Sequence, residues 1–92
     1  MENEKIKVKM TAHAFNAFMQ RAGIFGVDNA IDNLKSLSYG NLDESRGGVY
    51  LNFPFIGGQM PLAKEEDHYV AKTFVKTFGT DKGKEVKVEY IF

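Results

Sequence analysis

Few residues in this 92-residue chain are equipped for chemistry. There are two histidines and no cysteine, and of the twelve Lys and Arg residues only Arg21 and Arg46 are arginines. Imidazole moves protons near neutral pH, and the planar guanidinium fork grips carboxylate or phosphate with two donors. His13 and Arg21 share the stretch "MTAHAFNAFMQRAG", which reads as one helix. Eight residues of helix rise about 12 Å, so the two side chains could flank a phosphate. The imidazole would then transfer a proton while the guanidinium holds the growing negative charge. The competing reading is a solvated polar helix face. A metal site would have to combine His13, His68 and carboxylates such as Glu66 or Asp67. The histidines lack a ligand spacing, so neither metal nor cofactor is expected. Phosphate-binding, dinucleotide-binding, zinc-protease and serine-hydrolase motifs are all missing.

Two further stretches carry candidates. "HYVAKTFVKTF" offers Tyr69, Lys72 and Thr73 on a strand, although Thr and Tyr favour strands for their own reasons. "VYLNFPFIGGQM" is apolar and aromatic, with Tyr50, Phe53, Phe55 and Met60. Such a segment is either core or a partner-binding patch, since Met and aromatics are enriched at interface centres.

The elements that would position these residues follow from hydrophobic period. "KIKVKM" alternates, which predicts a half-buried strand, and its lysines suit an edge. Thr11 can cap the next element, and Gly23 can close it in a left-handed conformation. Between them Ala14, Phe15, Phe18, Met19 and Ala22 make the apolar face of a helix. A second helix is expected from about Asn29 to Leu37, with Asp28 as its cap. "SYGNLDESRGG" reads as a loop. "VYLNFPFI" reads as a strand with Val49, Leu51, Phe53 and Phe55 on one face, placed at an edge or bulge by Pro54. "GGQMPL" turns the chain, with a short strand in "PLAKE". "HYVAKTFVKTF" and "EVKVEYIF" follow as strands, joined through "GTDKGK" as a hairpin.

This order predicts one compact α+β domain over residues 1–92: an N-terminal strand, two helices, then a three- to four-stranded antiparallel sheet with the helices packed on one face. Apolar residues form 43 % of the chain, enough for a core, so disorder is not expected. Formal net charge is zero, which argues against strong non-specific nucleic-acid binding. The opening "MENEKIKVKM" has no apolar run for a signal peptide, and no segment could span a bilayer. With the lack of cysteine, this fits a cytoplasmic protein.

On this order of elements the chain resembles the barnase/RelE/colicin-type RNase fold of small toxin-like domains. One branch opens its first helix with H-A-x-x-R-x-x-x-R and carries a Thr on a late strand. The present chain offers His13–Ala14, Ala17 where the first Arg would stand, Arg21 in the second Arg position, and Thr73 in "YVAKTFV". The resemblance implies RNA binding or metal-free RNA cleavage. His13 would transfer the proton, and Arg21 and Thr73 would hold the phosphate. Tyr69, Lys72 and Arg46 would assist in binding, and the 2′-hydroxyl would be the nucleophile. The alternative is a non-catalytic inhibitor of phage or mobile-element type that blocks a host nucleic-acid or defence complex (anti-CRISPR-like), docking through Tyr50, Phe53, Phe55 and Met60. A homodimer joined through that segment or the terminal hairpin is a third reading.

Overall fold

The computed structural model describes residues 4–77 and 82–92. Its elements run β1 (Glu4–Met10), α1 (Ala12–Ala22), α2 (Val27–Ser36), β2 (Tyr39–Asp43), β3 (Val49–Phe53), β4 (Gly58–Lys64), β5 (Tyr69–Ala71), β6 (Val75–Lys76) and β7 (Lys84–Ile91). The strands pair in the order β3-β2-β7-β1-β5-β4-β6, and β3 also pairs with β4. That extra pairing closes six strands into a barrel, with β6 continuing β5 along the same edge of β4. The expected open sheet of three or four antiparallel strands is therefore incorrect. Nor is the sheet purely antiparallel, because β1 runs parallel to both of its neighbours, β5 and β7.

The local signals that held are those read from adjacent residues. In β1, Ile6, Val8 and Met10 are buried while the lysines face out. The lysines mark the outer wall of a barrel, however, and not an edge strand. Thr11 caps α1, its hydroxyl accepting from the Ala14 N–H at 3.0 Å, and Gly23 ends it at φ 70°. Ala14, Ala17 and Phe18 form the buried stripe of α1, and Ala30 and Leu34 that of α2. Helix α2 starts two residues before the expected position, on Gly26 instead of Asp28.

Four other expectations are corrected by long-range packing. "SYGNLD" is strand β2 and not loop. Its Gly40 lies so close to β3 that a Cβ would meet Leu51 Cδ1 at 2.9 Å and the Asn52 carbonyl oxygen at 3.1 Å, so a turn-prone residue serves here as a spacer. "GQMPLAK" is one continuous strand despite Pro61. The missing N–H is tolerated because the chain facing Pro61 bulges between β5 and β6, where the Lys72 N–H still reaches the Pro61 carbonyl at 3.1 Å. That bulge, residues 72–74, breaks "HYVAKTFVKTF" into two short strands. It also changes the parity, so that Ala71 and Phe74 both point into the core. Finally, β6 pairs with β4 while β7 pairs with β1 and β2, so β6 and β7 form no terminal hairpin. Residues 79–81 of "GTDKGK", and Phe78 before them, lie outside the described residues.

The register fixes two poles. The ends of β1, β3 and β7 and the start of β2 meet at one pole, and both helices lie between β1 and β2, so they belong to it. The opposite pole carries the β2–β3 and β4–β5 connections. A six-stranded barrel is narrower than the eight-stranded kind whose interior is just filled by side chains. Here Val8, Phe18, Leu51, Phe53, Met60 and Phe74 fill it, with Phe18 and Phe74 edge-to-face at 5.3 Å. Side chains thus occupy the interior, and depressions among the described residues lie at a pole or on the outer wall.

Tyr90 closes the core beneath α2. Its hydroxyl donates to the Leu37 carbonyl at 2.8 Å, and burial holds the phenol far above its ordinary pKa. A phenol that ionises only after unfolding favours the unfolded chain once pH passes about 10. Stability should thus be level up to about pH 9 and fall above it, and Tyr90→Phe should reduce that fall. Urea midpoints measured between pH 8 and 11 on both proteins provide the check. Equal slopes would assign the loss to other groups.

Candidate functional site

The sequence candidates separate into three places. His13 is exposed on α1, and among the described residues no hydrogen bond or ion pair joins it to Arg21 or Thr73. Arg21 stands two turns further along, and its Nη1 donates to the Phe74 carbonyl at 3.5 Å. Thr11, at the start of the same helix, donates its hydroxyl to the Ala71 carbonyl at 3.0 Å. The reason is geometric. After Met10 the chain leaves the sheet for α1, so the edge of the β5–β6 segment loses its strand partner. Side chains of α1 take over two of its carbonyls, since buried backbone acceptors need donors. These two anchors lay α1 along the bulge that carries Lys72 and Thr73. Lys72 is exposed and Thr73 half-buried.

The aromatic segment is divided by the fold. Phe53 and Met60 are core, at 1 % and 0 % exposure, and cannot meet a partner. Tyr50 is half-buried on the outer wall beneath Arg46. Phe55 lies in the β3–β4 turn, wholly exposed, and does not share a strand face with Phe53 as expected. It has company that the sequence pattern did not reveal. Phe25 is 86 % exposed in the α1–α2 connection, and Val27, Tyr39, Ile91 and Phe92 also show large apolar surface. By chain topology Phe25, Val27, Phe55, Ile91 and Phe92 belong to the helix-bearing pole, whereas Tyr39, in register with Lys87 and through it with Lys5, stands on the outer wall. Helical period could not flag Phe25, because a residue in "GIFG" falls between two stripes. The only available signal was an aromatic residue that no predicted core claimed.

Beside Phe55, Ile56, Gly57, Lys76 and Thr77 line a depression of ≈ 450 Å³. Its shape is fixed by the Lys76 ammonium donating to the Ile56 carbonyl at 3.0 Å. Arg21 adds a further cation to this pole through its contact with the Phe74 carbonyl, while Lys35 lies lower, lining a depression on the outer wall with Lys5 and Lys87. Exposed acid gathers at the open pole, where Glu65, Glu66 and Asp67 form the β4–β5 turn.

At the open pole the first strand outruns its neighbour. β5 pairs with β1 only from Val8 onward, so residues 4–7 border a shallow depression of ≈ 380 Å³ that also takes in Lys64, Asp67, His68 and Tyr69. His68 Nδ1 lies 2.8 Å from Asp67 Oδ1. That contact, with the charge of His68, lowers the Asp67 pKa. Tyr69 points into the barrel mouth, and its pKa is raised by burial and then by the nearby charges of Glu44 and Glu4. The charges that raise the Tyr69 pKa are thus acidic, although Lys5, Lys7 and Lys64 border the same depression. Among the described residues no three His, Asp or Glu side chains are grouped to hold a metal ion, and no helix is long and apolar enough to cross a membrane. The chain matches no family model, no curated protein and no solved structure.

Proposed function

We propose that this protein is a non-catalytic binding module that docks a protein partner through its helix-bearing pole. The observation that supports this reading is that most of the exposed large apolar side chains, Phe25 and Phe55 foremost, belong by topology to one end of a barrel whose interior is occupied by side chains. Clustered exposed apolar surface marks interaction sites, and fully exposed aromatics supply hot-spot anchors once buried. Arg21 and Lys76 stand at the same pole. The partner surface that fits is apolar at its centre and acidic at its margin. Of the four aromatic-segment candidates, this reading retains Phe55 as a contact.

The test is affinity capture from nuclease-treated lysate, with Phe55→Asp beside the parent chain. Phe55 contacts nothing it would destabilise, so the variant should keep the parent thermal midpoint and lose the captured protein. Equal capture by both proteins would remove the reading.

A second reading is metal-free RNA cleavage, and one observation favours it: the two anchors that lay α1, with His13 and Arg21, along the bulge bearing Thr73. Incubation with a mixed RNA pool in chelator decides it. Cleavage that His13→Ala abolishes would support this reading, and intact RNA would end it.

A further inference from the structure

The outer wall near the open pole holds a charged assembly that the docking pole does not use. Asp43 ends β2 and is 3 % exposed. One carboxylate oxygen accepts from the Ser45 N–H at 2.9 Å and the Ser45 hydroxyl at 2.6 Å. The other is buried with no hydrogen bond among the described residues, and its partner is the Arg46 Nε at 3.5 Å. The Arg46 guanidinium lies over the Tyr50 ring, 4.3 Å from its centroid, and Tyr50 faces Asp43 across the β2–β3 ladder. One side chain is thus held flat by an aromatic face and braced by a buried charge.

A second cation is brought to the same carboxylate. The Lys82 carbonyl accepts from Asn52 Nδ2 at 3.0 Å, and Asn52 in turn accepts from Gln59 Nε2 at 2.8 Å. Both amides are buried on the outer wall. The next residue, Gly83, presses against β2, where a Cβ would stand 2.8 Å from the Leu42 carbonyl carbon. Glycine at φ 111° is what lets the chain lie that close. Lys82 and Arg46 both act on Asp43 and hold its pKa down, after the Ser45 hydrogen bonds. Two cations therefore share one buried anion. The contact to Asp43 runs through Nε, so the fork of the two Nη groups is not spent on it, and the Arg46 side chain is half exposed. The neighbouring Glu44 alternates to the barrel mouth, where its charge acts on Tyr69.

We infer that Arg46, stacked on Tyr50 and braced by Asp43 with Lys82 alongside, forms a receptor for a carboxylate or phosphate oxyanion on the outer wall. An oxyanion would bridge the Nη pair that the Asp43 contact leaves open. Planar, pre-oriented guanidinium is suited to this in a way that lysine is not. The site is separate from the docking pole and stands or falls apart from it.

The test is an amide NMR titration with inorganic phosphate and, in parallel, acetate, each against sodium chloride at matched ionic strength. Saturable shifts are expected at Arg46, Gly47, Gly48 and Lys82, and the anion that saturates at lower concentration identifies the source. Arg46→Lys keeps the charge and should weaken binding at least about tenfold, while Lys9→Gln, exposed on β1, should leave it unchanged. Should Arg46→Lys lose the native spectrum, Tyr50→Leu serves in its place and should also weaken binding. Shifts that chloride reproduces, that survive both variants, or that map to residues 65–68 would overturn the assignment.

Discussion

Phe74→Ala should cost this protein about 3–5 kcal/mol, the range for deleting a fully buried aromatic ring. A chain of this length has roughly 5–14 kcal/mol of stability in total, so one substitution removes about a fifth of it or more. The size of the effect comes from where the ring sits. Phe74 is wholly buried, packs edge-to-face on Phe18, and enters the core only because residues 72–74 bulge. Gly58 is its floor: a Cβ there would stand 2.3 Å from Phe74 Cζ. Gly58→Ala alone should therefore destabilise as well, by about 1–3 kcal/mol through overpacking. Contacting sites do not add. In the Phe74→Ala background the space over residue 58 is vacated, so Gly58→Ala should lose most of its penalty there. Urea denaturation of the two single variants and the double variant measures this. A full Gly58→Ala penalty in both backgrounds would mean that the ring does not lie over Gly58.

The second large effect is on binding. Phe25→Asp/Phe55→Asp places two charges where the account puts the centre of the docking surface. Hot-spot truncations cost about 2–4 kcal/mol each, so partner affinity should fall at least about 100-fold. Both side chains face solvent in the free protein, so the folding free energy should stay within about 0.5 kcal/mol of the parent. The combination is diagnostic. A core residue would move stability first, as Phe53→Asp and Met60→Asp should. Calorimetric titration of the captured partner, with melting curves on the same samples, separates the two cases.

How legible this molecule is from its sequence depends on the range of each signal. β1, the capped helix α1 and the existence of α2 were readable, because alternation, Thr11 and Gly23 act over a few residues. Closure of the sheet was not, since it rests on β3 meeting β4 while β1 lies parallel between β5 and β7, and no local pattern encodes that. β2 was hidden by its own composition. Gly40 and Asn41 look like turn residues, yet one supplies space against β3 and the other faces outward. The bulge at 72–74 defeated the face assignment of the longest apolar strand. Among site residues, Arg21, Arg46 and Phe55 were visible by residue type, though the fold gives them different work: Arg21 caps the bulge backbone, Arg46 braces on Asp43, and Phe55 stands clear of the strand face assigned to it. Phe25 and Lys82 carried no signal, because their exposure and placement come from the packing of neighbouring elements.

The most direct test of the docking pole is hydrogen–deuterium exchange on the protein alone and with its captured partner. New protection is predicted at residues 24–27, 53–57 and 90–92, with no change at residues 44–48 and 65–68. Protection confined to the open pole, or to residues 71–74 together with His13, would contradict the account.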